Sequence, residues 1–548
     1  MFNAHVCATH KHEVIRMRRA PCRPTYGLAH AALAAIVAAA LLCATAAPAR
    51  AQSLADFEKK VTLHRLANGW TFLIVERPVA PVFSFATYAD VGSAQEVLGI
   101  TGIAHMFEHM AFKGTEKIGT KNYGAEKVAL DKIEAAYKAY DAERRKKNAD
   151  PARVKDLEKA WKDAQEAAEP YIAKSEFDDI IDREGGVGLN AGTSNDQTVY
   201  FYSLPSNKLE LWAYLESERF GTPVFRQFYK ERDVIKEERR MRTESSPMGR
   251  LMEQFLATAF IAHPYKMPVV GYMSDLDSFT MTDAYAFFHK YYVPSNLYTA
   301  IVGDVKASEV IPILETYFGR IPKGDPPPPL RTVEPEQNGE KIVKIADPGQ
   351  PMYGEGYHRP SGLDPDAEAY DALAAILGGS GGFGPMGGGG GNRTSRLYRS
   401  LVRDKQIAAN VNVFAAFPGD KYPTLMVVFA VPAKGHTIEE VRDGIRAELD
   451  KIKTEEVGDD ELNRVKAKAK ADLVRSLASN NGLAFALSAS EARFGDWREV
   501  FKSVDKIDRL TRADIMRVAK ATFKDTNRTV GYIETTGTAT PKPAPAGE

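Results

Sequence analysis

Cysteine is nearly missing from this 548-residue chain: Cys7, Cys22 and Cys43 are the only three. All three lie in a segment that reads as an export signal. Arg16, Arg18, Arg19 and Arg23 precede an apolar run from Leu28 to Ala47, and Ala49-Arg50-Ala51 supplies the small-residue cleavage pattern. Cleavage after Ala51 leaves a chain without a single thiol, which excludes disulfides and thiolate metal ligands. An excess of one charge is lacking too. Lys+Arg and Asp+Glu both number 72, and residues 1–51 carry six and one of them, so the remainder balances at 66 − 71 = −5. No basic stripe is left for nucleic acid. No second long apolar run follows, so the exported chain is expected to be periplasmic or secreted and not held in a membrane. The glycine-rich run from Gly378 to Gly391 lacks a following Gly-Lys-Ser/Thr and is read as a mobile loop, not a phosphate cradle.

What is present is long enough for two or more domains. Val61 to Val75 predicts a hairpin turning at Asn68-Gly69, and Val82 to Val91 another strand. Two charged stretches, about 125–148 and 151–174, predict an exposed helical hairpin with its turn at Asn148-Ala149-Asp150-Pro151 and its charges on a solvated face. Helices are predicted over Leu209 to Arg219, Lys230 to Thr243 and Ser308 to Phe318, with a strand over Asn296 to Asp304. Lys323-Gly324-Asp325 and four prolines, Pro326 to Pro329, predict a stiff linker. Beyond it the order of strand and helix patterns recurs. The fold class expected is α+β, two homologous α/β half-domains, each a mixed sheet packed by helices. The boundaries expected are 52–322, a linker over 323–340, 341–536, and a disordered tail over 537–548.

The chemistry is concentrated in Gly102-Ile103-Ala104-His105-Met106-Phe107-Glu108-His109-Met110-Ala111-Phe112. Steps of three and four residues place His105, Glu108 and His109 on one helical arc, while Ile103, Met106, Phe107 and Met110 supply apolar surface. Two imidazoles one turn apart make half of a zinc site, and a carboxylate beside them can take a proton from water. The order is His-x-x-Glu-His. A zinc site with one open position needs a third ligand. His64, His263, His289, His358 and His436 are scattered singly, so an acidic ligand on another helix fits better. Glu231 and Glu238, two turns apart in Glu231-Arg232-Asp233-Val234-Ile235-Lys236-Glu237-Glu238, are both candidates.

Several further segments carry a resemblance. Gly92-Ser93, Glu96, Gly99, Gly102, the His-x-x-Glu-His pattern and Phe112-Lys113-Gly114-Thr115 resemble the pitrilysin or insulinase-type metallopeptidases, a family that includes the mitochondrial processing peptidases. Tyr292-x-Pro294-x-Asn296, Val302-Gly303-Asp304 and Ser395-Arg396-Leu397-Tyr398 extend it over nearly the whole exported chain. The resemblance implies Zn²⁺ on His105, His109 and Glu238, with Glu108 as general base and Glu231 as a supporting carboxylate. It implies a peptide substrate lying along a strand edge at Asn190, Ala191 and Thr193. The charged hairpin, about 125–175, is then an insertion.

It also implies a partner. Family members enclose peptide between two halves of a clamshell, each about the length of this exported chain, and the non-zinc half supplies an arginine and a tyrosine that grip the substrate backbone. Laid on without gaps, those positions fall on Val402 and Ala409, with Arg403 and Asn410 next door. The chain thus carries the metal half and lacks the grip. The preferred reading is a heterodimer with a paralogous subunit bearing the Arg/Tyr clamp. The alternative is a homodimer using Tyr398, Arg396 or Arg403, and a non-catalytic assembly subunit comes last.

Overall fold

The computed structural model describes residues 57–379 and 392–536. The segment read as an export signal, nearly all of the glycine-rich run and the tail lie outside the described residues. From Lys59 onward the chain forms one compact unit. Strands β1 (Val61–Arg65), β2 (Thr71–Glu76), β3 (Val82–Ala89), β4 (Val187–Thr193), β5 (Thr198–Pro205) and β6 (Leu297–Gly303) make one sheet. Strands β7 (Lys341–Asp347), β8 (Met352–Arg359), β9 (Ala408–Phe417), β10 (Thr424–Pro432) and β11 (Arg528–Thr535) make a second. The spatial orders are β1-β2-β6-β3-β5-β4 and β7-β11-β8-β10-β9. In each, the last strand in sequence pairs parallel with an early one (β6 with β2, β11 with β7) and every other pair is antiparallel. Apart from β1, the second sheet therefore repeats the first strand for strand, and the hairpins β4–β5 and β9–β10 occupy equivalent edges.

The two repeats are not packed as separate bodies. Helix Pro247–Ala259 follows helix Phe228–Arg239 of the first repeat but lies on β7 and β11, with Phe255 beside Gly356 and Gly531. Helix Asn480–Phe494 belongs to the second repeat but lies across β3 and β6, with Phe485 against Phe201 at 4.7 Å. Each sheet thus buries a face under a helix from the other repeat. Residues 322–340 contain neither helix nor strand, as the prolines require.

The charged hairpin forms as helices Tyr123–Arg144 and Pro151–Ala168. The Asn122 and Asp150 side chains cap their N-termini, and Pro151 occupies the first turn, where no N–H is needed. Its charged face is solvated as expected, but its expected role as an exposed element needs correction. Leu130, Ile133, Tyr137 and Trp161 are buried, and Tyr137 packs on Tyr229 at 4.2 Å. The apolar positions were few enough to be masked by the surrounding charge, yet large enough to seat the hairpin on helix Phe228–Arg239.

A candidate metal centre beside a free sheet edge

Helix Ile103–Met110 is held rigidly at its start. Gly102 takes φ +90°, and a Cβ there would meet the Val270 carbonyl oxygen at 2.7 Å, so glycine is required. The Glu96 carboxylate accepts the Gly102 and Ala104 N–H groups, both at 2.8 Å, satisfying donors that a helix N-terminus leaves open. Phe107 anchors the buried face against Tyr292 at 4.0 Å and Phe288 at 5.0 Å.

His105 and His109 project from the opposite face, their rings 4.8 Å apart. Glu238 reaches them from helix Phe228–Arg239. Its Oε2 lies 3.7 Å from His105 Nε2 and 3.8 Å from His109 Nε2, and one donor atom from each residue falls within 4.8 Å of the others. These gaps are too long for hydrogen bonds. They suit three donors around one cation, since ligands at about 2.1 Å in a tetrahedron stand about 3.4 Å apart. Burial, with the neighbouring His109 and Arg242 charges, lowers His105 to a pKa of about 3, so its imidazole is neutral, the form that ligates. The donor set, two imidazoles and a carboxylate, fits zinc.

Glu231, the other candidate, faces a different atom. Its Oε1 bonds His109 Nδ1 at 2.9 Å, leaving Nε2 for the centre, and its Oε2 pairs with Lys113 Nζ at 2.6 Å. Burial alone would raise this carboxyl, but His109 and Lys113 hold it at about 2. An ionised carboxylate on the far nitrogen fixes the ring's orientation. Lys113 escaped the sequence reading as a functional residue, although it lies four positions after His109 on the same turn sequence. Arg242 escaped it too. Its Nη1 lies 2.5 Å from Glu238 Oε1, the oxygen turned away from the imidazoles.

Glu108 sits between the metal donors and the sheet edge. Burial raises its pKa, opposed by hydrogen bonds from the Thr193 side chain and backbone and by the His109 charge. Thr193 lies at the end of β4, the strand packed beside the motif helix. Asn190 and Ala191 lie on β4 and pair with Phe201 and Tyr200 of β5, so their other edge faces outward. A register shift between Val187 and Asn190 leaves the start of β4 loosely paired.

The loop after the motif helix is pinned by a buried guanidinium. Arg226 donates to Glu126 (2.6 and 3.1 Å) and to the carbonyls of Lys113, Ile118 and Thr115 (2.7, 3.0 and 2.7 Å). All five N–H groups are satisfied. Gly114 and Gly119, both with positive φ, let the loop close over it: a Cβ at either would stand 2.9 Å from Arg226 Nη1. Arg232 is held similarly, stacked on Tyr137 and Tyr229 and donating to the Tyr137 hydroxyl at 2.7 Å. The hairpin therefore braces the helix that carries Glu231 and Glu238.

A twice-repeated mixed sheet with one His-x-x-Glu-His helix beside a free strand edge defines the class of inverted metallopeptidase halves. Comparison with known proteins agrees. Residues 71–144 match the family described as Insulinase (Peptidase family M16), and residues 278–469 match the Peptidase M16 inactive domain. The chain is 28% identical over 508 residues to zinc protease PqqE of Helicobacter pylori, covering 90% of this chain and 96% of that one. It is 23% identical to the mitochondrial-processing peptidase subunit beta of Saccharomyces cerevisiae, covering 87% and 91%. The crystal structure of a protease from Helicobacter pylori superposes with a TM-score of 0.71 at 27% identity, covering 87% and 99%. The periplasmic protease PqqL of Escherichia coli shares the fold at a TM-score of 0.61 and 17% identity, with 87% of this chain matching 48% of that one. These matches support membership of the insulinase-type M16 peptidase family. Among the described residues, no helix is long and apolar enough to cross a membrane.

Proposed function

We propose that this chain is a zinc-dependent endopeptidase of short or unfolded peptides, with zinc on His105, His109 and Glu238. The observation that carries the reading is the convergence of those three donors beside Glu108, on a helix packed against the edge strand β4. Zinc held there would supply Lewis acidity, polarising the scissile carbonyl and making water a better nucleophile near neutral pH. Glu108 takes the proton from the attacking water and returns it to the leaving amine nitrogen. Its raised pKa suits both transfers, because a strongly acidic carboxyl would hold the proton too weakly to carry it. Glu231 and Lys113 orient His109. The peptide adds as a strand along β4 at Asn190 and Ala191, its backbone bonding the outer edge.

We further propose that the chain works as the catalytic subunit of a heterodimer in the periplasm or outside the cell. Arg396, one of the residues on which a homodimer would depend, is held by Glu461 through contacts of 3.0, 3.2 and 2.8 Å. Val402 and Ala409 stand where an arginine and a tyrosine are needed. The relatives named above include a processing-peptidase subunit and a chain about twice this length, which supports a paired arrangement. The test is a metal count on purified protein, followed by a quenched-peptide assay of the chain alone and with its candidate partner. Glu108→Gln should keep zinc and lose turnover. Zinc absent from the wild type would refute the centre, and full activity of the lone chain would refute the heterodimer.

A further inference from the structure

The turn that ends the free edge strand is bonded to the second repeat, and this contact has no part in the chemistry described so far. Residues 194–197 join β4 to β5. On one side, Ser93 and Ala94 donate their N–H groups to the Ser194 and Asn195 carbonyls at 3.1 and 2.8 Å. On the other side, the Asp196 carboxylate, 5% exposed, accepts the Tyr265 hydroxyl at 2.6 Å and the Asp420 and Lys421 N–H groups at 2.9 and 3.1 Å. Residues 418–423 are the turn between β9 and β10, the equivalent edge hairpin of the second sheet. The two edge hairpins therefore meet turn to turn. Lys421 Nζ reaches on to Asp90 Oδ1 at 2.5 Å, and Arg493 Nη1 holds Asp420 at 3.0 Å. Gly419 is required by the closeness of this meeting. A Cβ there would stand 2.3 Å from Asp196 Oδ2 and 2.6 Å from the Tyr265 hydroxyl.

We infer that Asp196 is a positioning residue through which the second repeat sets the height and order of the peptide-binding edge. The inference rests on β4 receiving peptide, as proposed above. The physical reason is the weak support that β4 otherwise has. It is an outer strand, its pairing is irregular before Asn190, and Gly188 and Gly192 lower its intrinsic preference for an extended state. Regular pairing begins at Asn190 and runs into Thr193, three residues before Asp196. A fixed turn holds that short segment in one register, so that an incoming strand does not have to order it. A buried side chain with three hydrogen-bond donors from other parts of the chain makes such a fixed point, because a buried polar group left unpaired is costly.

The test compares wild type with Asp196→Asn and the milder Tyr265→Phe, in the full exported chain with its partner where one is needed. Hydrogen exchange is followed over residues 187–193, alongside zinc content and peptide kinetics. Both variants should retain zinc and lose exchange protection over this segment, Asp196→Asn more than Tyr265→Phe. For Asp196→Asn, KM should rise about tenfold with kcat within about twofold, the pattern of lost binding shared by ground and transition states and the scale of one hydrogen bond to a charged group. Unchanged protection of 187–193 in a folded variant would overturn the inference, as would lower thermal stability with KM unchanged. Should wild type cleave no peptide, the proposed activity fails, while the exchange measurement still decides whether Asp196 orders β4.

Discussion

Removing the Glu126 carboxylate tests the idea that the loop after the motif helix is held from beneath. Glu126 and Arg226 are 0% and 1% exposed, and they share two hydrogen bonds. Glu126→Ala would leave a guanidinium buried without its counter-charge, a change that costs roughly 3–5 kcal/mol in other proteins. Arg226→Met would strand the carboxylate and also deprive the Lys113, Thr115 and Ile118 carbonyls of their donor. Its effect should be at least as large. In the double variant Glu126→Ala/Arg226→Met neither charge remains, and the unpaired carbonyls dominate at about 1 kcal/mol each. The double variant should therefore be less destabilised than the two single changes added together, by at least about 2 kcal/mol. Equilibrium urea unfolding of all four proteins gives the cycle. Additivity within about 0.5 kcal/mol would show that the charges are not coupled and would refute the argument. Zinc affinity supplies a second readout, because the loop carries Lys113 and through it Glu231. It should weaken in Glu126→Ala protein that is still folded.

Glu231→Gln keeps the size of the side chain but removes the charge behind His109, so zinc affinity in a chelator competition should fall about 10- to 100-fold. Unchanged affinity would leave Glu231 without an orienting role. His263 tests acid stability. Burial lowers its pKa from 6.5 to about 4, so as pH falls the unfolded chain gains the proton first, and stability present above pH 6.5 is lost down to about pH 4. His263 Nδ1 accepts the Tyr265 N–H at the head of a short helical turn, a role asparagine also performs. His263→Asn should accordingly flatten the melting temperature between pH 6.5 and 4, and an unchanged slope would assign that acid loss elsewhere. Finally, residues 59–322 and 323–536 produced separately should each be poorly soluble, whereas co-expression should give a complex that co-purifies. Two soluble, monomeric halves would contradict the helix exchange between repeats.

The candidate residues on the motif helix were legible because their spacing is local. His105, Glu108 and His109 sit within five residues, and the helical period alone puts them on one face. Glu238 lies on another helix, and periodicity could not separate it from Glu231; in the structure the two carboxylates take opposite nitrogens of His109. The strand at β8 was not legible. Met352-Tyr353-Gly354-Glu355-Gly356-Tyr357-His358-Arg359 has two glycines and a buried carboxylate where a strand pattern wants branched residues. The glycines make room for rings crossing the sheet, since a Cβ on Gly354 would meet Phe429 at 2.5 Å and one on Gly356 would meet Phe255 at 2.7 Å. Glu355 is satisfied by the Tyr353 and Tyr357 hydroxyls and by Arg446. The edge strand β4 was legible only through the resemblance, because its glycines at 188 and 192 break the strand pattern. In both cases distant partners override local preference.

The duplicated architecture explains why a repeat without metal donors stays with one that has them. After β3 the chain enters the His-x-x-Glu-His helix. After β8 it enters the equivalent helix Ala367–Leu377, which contains no histidine and is almost wholly buried. Freed of the chemistry, that helix serves as core. The second repeat nevertheless covers the first sheet with Asn480–Phe494, and its β9–β10 turn ties down the end of β4. The first repeat returns Pro247–Ala259 to the second sheet, directly after the turn containing Arg242. A change in how the repeats meet would therefore reach the site by two routes, one ending at Asp196 and the peptide edge, the other at Arg242 and Glu238.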